Sequence, residues 1–255
     1  MSALRPDLIV ARNTRDIWLQ PSAPIQLLRQ AEPAARVLKN GPMRDFEPIT
    51  PAEFCGAVFS QASPVLAREW DRYTVSNPFS WDPDCSVVHR GSVSATSFRA
   101  PEFNTLILGD LNVEGLLDLS AGYEQGAGTF VVLGNVTCRD MIGERCDQVF
   151  VDGDLSVPGL LLNAFPDSSL TVAGSIKTRF FYGWDTWGTV GRGADMDYGD
   201  CYCLPIGYAD AESEAIRPRH DSRRSRELLV VDELRDDVSR ELATLLRGRQ
   251  SVFRD

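Results

Sequence analysis

The feature that most constrains this chain is a glycine that recurs in one setting. Gly91, Gly109, Gly134, Gly153 and Gly174 each sit between two short runs that alternate in Val, Leu and Ile, and a small polar residue follows most of them. Leu106-Ile-Leu-Gly109-Asp110-Leu-Asn-Val113 and Val149-Phe-Val-Asp-Gly153-Asp154-Leu-Ser-Val157 are clear copies. The glycines are 18, 25, 19 and 21 residues apart. Self-similarity at this period marks a repeat architecture. Its strand-rich content makes each repeat one coil of a β-solenoid rather than a pair of helices.

The expected fold is therefore mainly β: a right-handed β-helix of about five coils, with an α-helical N-terminal cap and a short C-terminal helix. Coils stack at about 4.8 Å, the spacing of strands in a sheet, so that like residues pile into a continuous apolar column. The glycines are expected to turn corners through conformations closed to residues with a Cβ. Asp110, Asn135, Asp154 and Ser175 are expected to hold those turns through their own backbone. A second apolar cluster in each coil, such as Leu116-Leu117 or Leu160-Leu161-Leu162, forms another face.

Four segments follow from this pattern. Residues 1–80 form an N-terminal segment with short helices near Ile25–Gln30 and Ala34–Lys39. It then carries the helical cap, opened by the capping-box pattern Thr50-Pro51-Ala52-Glu53 and by Ser63-Pro64. Residues 81–182 hold the solenoid repeats. Residues 183–216 are expected to be irregular, with one more strand at most. Residues 217–255 form a tail that starts with an exposed basic run, Arg217 to Arg226, and ends in a helix with Val238, Leu242, Leu245 and Leu246 on one face and Gly248 at its end. The open solenoid ends expose strand edges, and the helices are the candidates to cap them.

Composition narrows the class. Hydrophobic residues make up 43% and charged residues 24%, which is ordinary for a globular chain and unlike a disordered one. The six cysteines are too sparse for a disulfide scaffold, and no apolar run has membrane-spanning or signal-peptide length, so the expected location is cytoplasmic, with reduced thiols and no membrane partner. The net charge of -10 argues against nucleic-acid binding, which needs clustered Lys and Arg.

The search for chemistry finds little. His89 and His220 have no Ser or Cys partner in a recognisable motif, and no phosphate-loop or zinc-protease pattern occurs. Cys201 and Cys203 are one residue apart without a second ligand pair, which reads as small buried residues rather than zinc ligands. Cys138 and Cys146 are expected on the coil wall. Asp195-Met-Asp197-Tyr-Gly-Asp200 lacks the closing Glu of a calcium loop. Asp110, Glu114 and Asp154 offer carboxylates for a carbohydrate-active β-helix enzyme, but their turn positions already explain them. No catalytic residue, metal or cofactor is expected.

The segments Leu108-Gly-Asp-Leu-Asn-Val-Glu-Gly-Leu-Leu117, Leu133-Gly-Asn-Val136 and Val151-Asp-Gly-Asp-Leu-Ser-Val157 resemble the repeats of bacterial polymer-forming β-helix proteins, many of them associated with polymorphic-toxin or Rhs loci. The tail Leu245 to Arg254 resembles that family's closing helix and end. The resemblance covers roughly residues 65–182 plus the tail. It implies a non-enzymatic protein, an immunity protein that neutralises a cognate toxin by occluding it. A self-assembling structural or cytoskeletal solenoid is the alternative.

Residues 183–216 carry one basic and seven acidic side chains, the densest negative stretch of the chain. Aromatics there can anchor an interface, and carboxylates can meet the Lys and Arg of a basic toxin. The expected partner-binding residues are Trp184, Asp185, Trp187, Asp195, Asp197, Tyr198, Asp200, Asp210 and Glu212, in a monomer or small oligomer.

Overall fold

A computed structural model describes residues 45–76, 86–120, 127–143, 146–202, 206–208, 216–220, 227–231 and 238–254. The helices expected near 25–30 and 34–39 lie outside these residues. The described part is a β-solenoid of about five turns with three helices. Its strands are β1 (Glu47–Pro48), β2 (Ser86–His89), β3 (Val93–Ala95), β4 (Phe98–Arg99), β5 (Asn104–Ile107), β6 (Leu111–Asp118), β7 (Ala127–Val132), β8 (Val136–Ile142), β9 (Cys146–Val151), β10 (Leu155–Val172), β11 (Ser175–Val190), β12 (Gly193–Tyr202) and β13 (Ile206–Tyr208). The helices are α1 (Pro51–Gln61), α2 (Pro64–Ser76) and α3 (Val238–Arg247). Every strand pairing is parallel except that of β1 with β2.

The register gives the solenoid three flanks, each with an inward column. Ile107, Val132, Val151, Val172 and Val190 stack on the first. Val93, Leu111, Val136, Leu155 and Ile176 stack on the second. Phe98, Leu117, Met141, Leu161 and Phe181 stack on the third. All fifteen are buried in one interior cluster. Because strand residues alternate between faces, the neighbours of these columns point outward.

What those outward neighbours are decides where the helices go. On the first flank they are apolar: Val88, Leu106, Val131 and Phe150, covered by Phe54 and Val58 of α1 and Leu66 and Trp70 of α2. On the third they are Ile142, Leu162 and Tyr182, covered by Leu242, Ala243 and Leu246 of α3 and by Val252. On the second they are Ser94, Asn112, Thr137, Ser156, Lys177 and Asp195, which face solvent. The helices thus cap flanks, because that is where apolar area is left over. The edges are handled separately. β1 closes the edge of β2 with Pro48, which has no N–H to offer a further strand. At the other end Arg219 and His220 donate backbone N–H bonds to Met196 and Asp197 of β12.

The start signals act as the sequence implied. Thr50 caps α1 in a complete capping box with Glu53, and Pro51 fills its first turn. The Ser63 amide and hydroxyl both donate to Asp152, which ties the start of α2 to the solenoid 89 residues away.

Two expectations are corrected. The 183–216 segment is not irregular at its start: β11 runs to Val190, and β12 and β13 pair in parallel with it. Its inward positions, Ala194 and Met196, remain apolar, so the coil continues. The corner glycines also work differently. Only Gly91 has a positive φ, 132°. At Gly109 a Cβ would stand 2.7 Å from Gly91 C, and at Gly134 2.7 Å from Gly109 C and O. Glycine is required there because the backbone of the adjacent coil occupies the space of a side chain. The following polar residues bond between coils rather than to their own turns. Asn135 N donates to Asp110 Oδ1 (2.7 Å), Asp154 N to Asn135 Oδ1 (2.9 Å) and Ser175 N to Asp154 Oδ1 (2.7 Å).

The end of α3 is fastened by an ion pair. Arg247, at the end of α3, donates to both Asp118 oxygens, Nε at 2.9 Å. Burial alone would raise the Asp118 carboxyl. The bonds from Arg247 and Ser120 and the Arg247 charge outweigh that and hold it below its ordinary value of 3.8. A depressed carboxylate stabilises the fold above the ordinary value, and that contribution disappears as pH falls through the folded value.

Two predictions follow from these contacts. Gly134→Ala is expected to cost about 2–3 kcal/mol by overpacking, lowering Tm by roughly 5–10 °C at this chain length. Gly56→Ala, inside α1 with nothing within 4 Å of the new Cβ, is expected to stabilise by about 0.5–1 kcal/mol. Calorimetry showing equal effects would sink the close-stacking account. Arg247→Met is expected to cost about 2 kcal/mol, less than a fully buried pair because the arginine is partly exposed. The gap to the parent protein in urea unfolding should be full near neutral pH and close below about pH 4; a gap that stays constant would remove Asp118 as its origin.

Candidate functional site

The acidic and aromatic stretch is positioned by strand register and then clamped by the tail. Asp195 and Asp197 alternate with the inward Met196 on β12, so both carboxylates project from the coil. The segment 216–220 lies along the β12 edge, with a parallel bridge between Tyr198 and His220 whose rings are 4.7 Å apart. That pairing brings Arg219 between the two acids. It bonds Asp195 Oδ1 through Nη2, and Asp197 Oδ1 through Nη1 at 2.7 Å. The Asp195 and Asp197 side chains remain 47% and 44% exposed, and Arg219 61%. Pairs this exposed contribute about 0–1 kcal/mol each, so Arg219 holds the two acids only weakly.

The other expected residues are dispersed. Trp187, on β11, points outward on the first flank in register with Ser169 and is 55% exposed. Trp184 and Asp185 stand in β11, with Trp184 in register with Tyr202 of β12. Asp200 is in register with Tyr182. Asp210, Glu212 and Cys203 lie outside the described residues. The structure therefore brings together Asp195, Asp197 and Tyr198. It adds two residues that sequence reasoning had placed in an exposed basic run, Arg219 and His220. Nothing in the local pattern signals this clamp, because its partners are more than 20 residues apart.

The remaining reactive side chains are placed as follows. Asp195 to Asp200 form an extended strand, not a cation-binding loop. Cys138 and Cys146 are buried in the coil wall; burial pushes the Cys146 thiol up to about 12 and raises that of Cys138 as well. His89 Nδ1 lies 3.2 Å from the Asp45 carbonyl and its ring packs on Phe46. Asp110 and Asp154 are occupied by the inter-coil ladder, and Asp154 also pairs with Arg192. Among the described residues, no group of three or more His, Cys, Asp or Glu side chains is placed to hold a metal. No helix among them is long and apolar enough to cross a membrane.

What this arrangement can do chemically is present two loosely held carboxylates on a rigid strand, beside a partly exposed aromatic pair. Comparison with known proteins adds nothing to that: no protein-family model, curated protein or solved structure matches the chain.

Proposed function

We propose that this chain is a non-enzymatic protein-binding scaffold that neutralises a basic bacterial toxin by occluding it. The observation that carries the reading is the use of the three flanks. The first and third are covered by the chain's own helices, while the second, ending at Asp195, is a regular polar surface exposed among the described residues. A solenoid fixes such a surface before any partner arrives, which lowers the ordering cost of association. The self-assembling alternative fits less well. Stacking needs free strand edges, and Pro48 on β1 and the 219–220 backbone on β12 obstruct part of each end. The toxin as partner comes from the repeat resemblance, and the basic character of its surface from the acids.

The test is a pull-down with the tagged protein, followed by affinity measurements on the captured partner. Asp195→Lys and Asp197→Lys are each expected to weaken the complex at least tenfold. Arg219→Ala, which releases both acids, is expected to tighten it and to steepen its salt dependence. A complex indifferent to all three changes would place the docking surface elsewhere. Capture of the protein alone, in large assemblies, would favour the structural alternative.

A further inference from the structure

An acidic chain of net charge -10 builds one strongly basic concavity. It lies where the corner between the second and third flanks meets the end of α3. Gly115 and Gly159 lack side chains at this corner, and Arg139 stands between them. Two clefts lie here, of about 460 and 530 Å³, both lined by Arg139, Leu246 and Arg249. Arg179 adds to the first, and Arg99 and Arg247 to the second. Across both, five guanidinium groups face two carboxylates, Asp118 and Asp140, leaving a formal charge of +3.

The five arginines fall into two classes. Arg247 is held by Asp118, and Arg139 by Asp140 at 2.7 Å. Arg99, Arg179 and Arg249 pair with no carboxylate among the described residues. Arg179 lies 4.4 Å over the Phe253 ring, which orients its guanidinium without neutralising it. Among the described residues Arg99 donates to the Ser120 hydroxyl, at 3.5 Å.

Arg249 supplies the second observation. The end of α3 is a Schellman motif: Gln250 N donates to Leu245 O (2.9 Å) and Arg249 N to Leu246 O (3.0 Å). The residue in the left-handed position of this motif is usually glycine. Here it is Arg249, with φ of 59°, the only non-glycine with positive φ among the described residues. Gly248, next to it, occupies the ordinary position. An arginine held where glycine is favoured, with its side chain lining both clefts, points to a use for that side chain. The Gln250 and Arg249 amides engage the Leu245 and Leu246 carbonyls, so these two last-turn oxygens are not left bare toward the clefts.

We propose that this double cleft binds a small ligand carrying two or more oxyanion groups, phosphate or carboxylate. Arg179 and Arg249 contact it in the first cleft, and Arg99 and Arg249 in the second. The clefts have the size of small-molecule sites, and guanidinium forks match phosphate and carboxylate oxygens two at a time. At least two unneutralised arginines per cleft favour a multivalent ion over a monovalent one. The proposal stands independently of toxin binding.

The test is isothermal titration of the full chain with tripolyphosphate and, separately, with citrate at low salt. At least one is expected to bind, and more weakly as salt rises. The anion that binds more tightly assigns the phosphate or the carboxylate source. Arg249→Gly should weaken binding at least tenfold while leaving Tm equal or higher, since glycine suits the backbone there. Arg179→Ala, which leaves the helix end untouched, should weaken it similarly. Arg192→Ala, at the Asp154 pair, should change nothing. No binding of either anion, or binding that Arg249→Gly and Arg179→Ala leave intact, would overturn the proposal.

Discussion

The structure depends on how closely adjacent coils can approach at one corner. A backbone atom of one coil sits where the Cβ of the next would be, so Gly109, Gly134, Gly153 and Gly174 are a steric requirement, while Gly91, at the head of the column, is required by its φ of 132°. That approach brings each following amide within reach of the side-chain oxygen one coil back. Ser92, Asp110, Asn135 and Asp154 pass this role along the stack. The ladder fixes register, and register is what keeps all three inward columns inward. A slip of one residue would turn Val, Leu and Ile out and Ser, Asn and Thr in.

From that register the placement of everything else follows. A solenoid wall has an outer face as well as an inner one, and an apolar outer face must be covered. Leu106, Val131 and Phe150 on one flank draw α1 and α2; Ile142, Leu162 and Tyr182 on another draw α3. The flank with Ser94, Asn112 and Thr137 draws none of the described helices. The described helices are therefore read out from the outward residue of each strand.

The repeat and the helix starts were legible in the sequence because they are local and periodic. Thr50-Pro51-Ala52-Glu53 and the glycine period both lie within short windows. The continuation beyond Tyr182 was obscured because Gly, Asp and Tyr replace the usual Val and Leu. Yet the alternation of Ala194 and Met196 with Asp195 and Asp197 still carried the strand period. The Arg219 clamp could not be read, since it depends on the tail returning to the β12 edge. The basic cleft left a faint trace. Arg99, Arg139 and Arg179 are spaced by 40 residues, about two repeats, which in a solenoid places side chains near one corner on alternate coils. Arg247 and Arg249 join them only through the docking of α3, which no spacing announces.

Fold and cleft are coupled through that docking. Asp118 and Arg247 fasten the end of α3 to the third flank, and the same helix end holds Arg249 in its left-handed conformation. A left-handed arginine costs about 1–2 kcal/mol against the alternatives open to a free chain, so it persists only where its surroundings fix it. Here they do: Leu246 and Val252 on either side of it are buried against the solenoid. The tail thus covers an apolar flank and, by the same contacts, turns an arginine toward the clefts. Loosening α3 would relax Arg249 and widen the basic surface together, whereas replacing the Arg249 side chain alone would remove charge and leave the cover in place. That separation between the helix that carries the residue and the residue itself distinguishes a binding wall from a mere helix end.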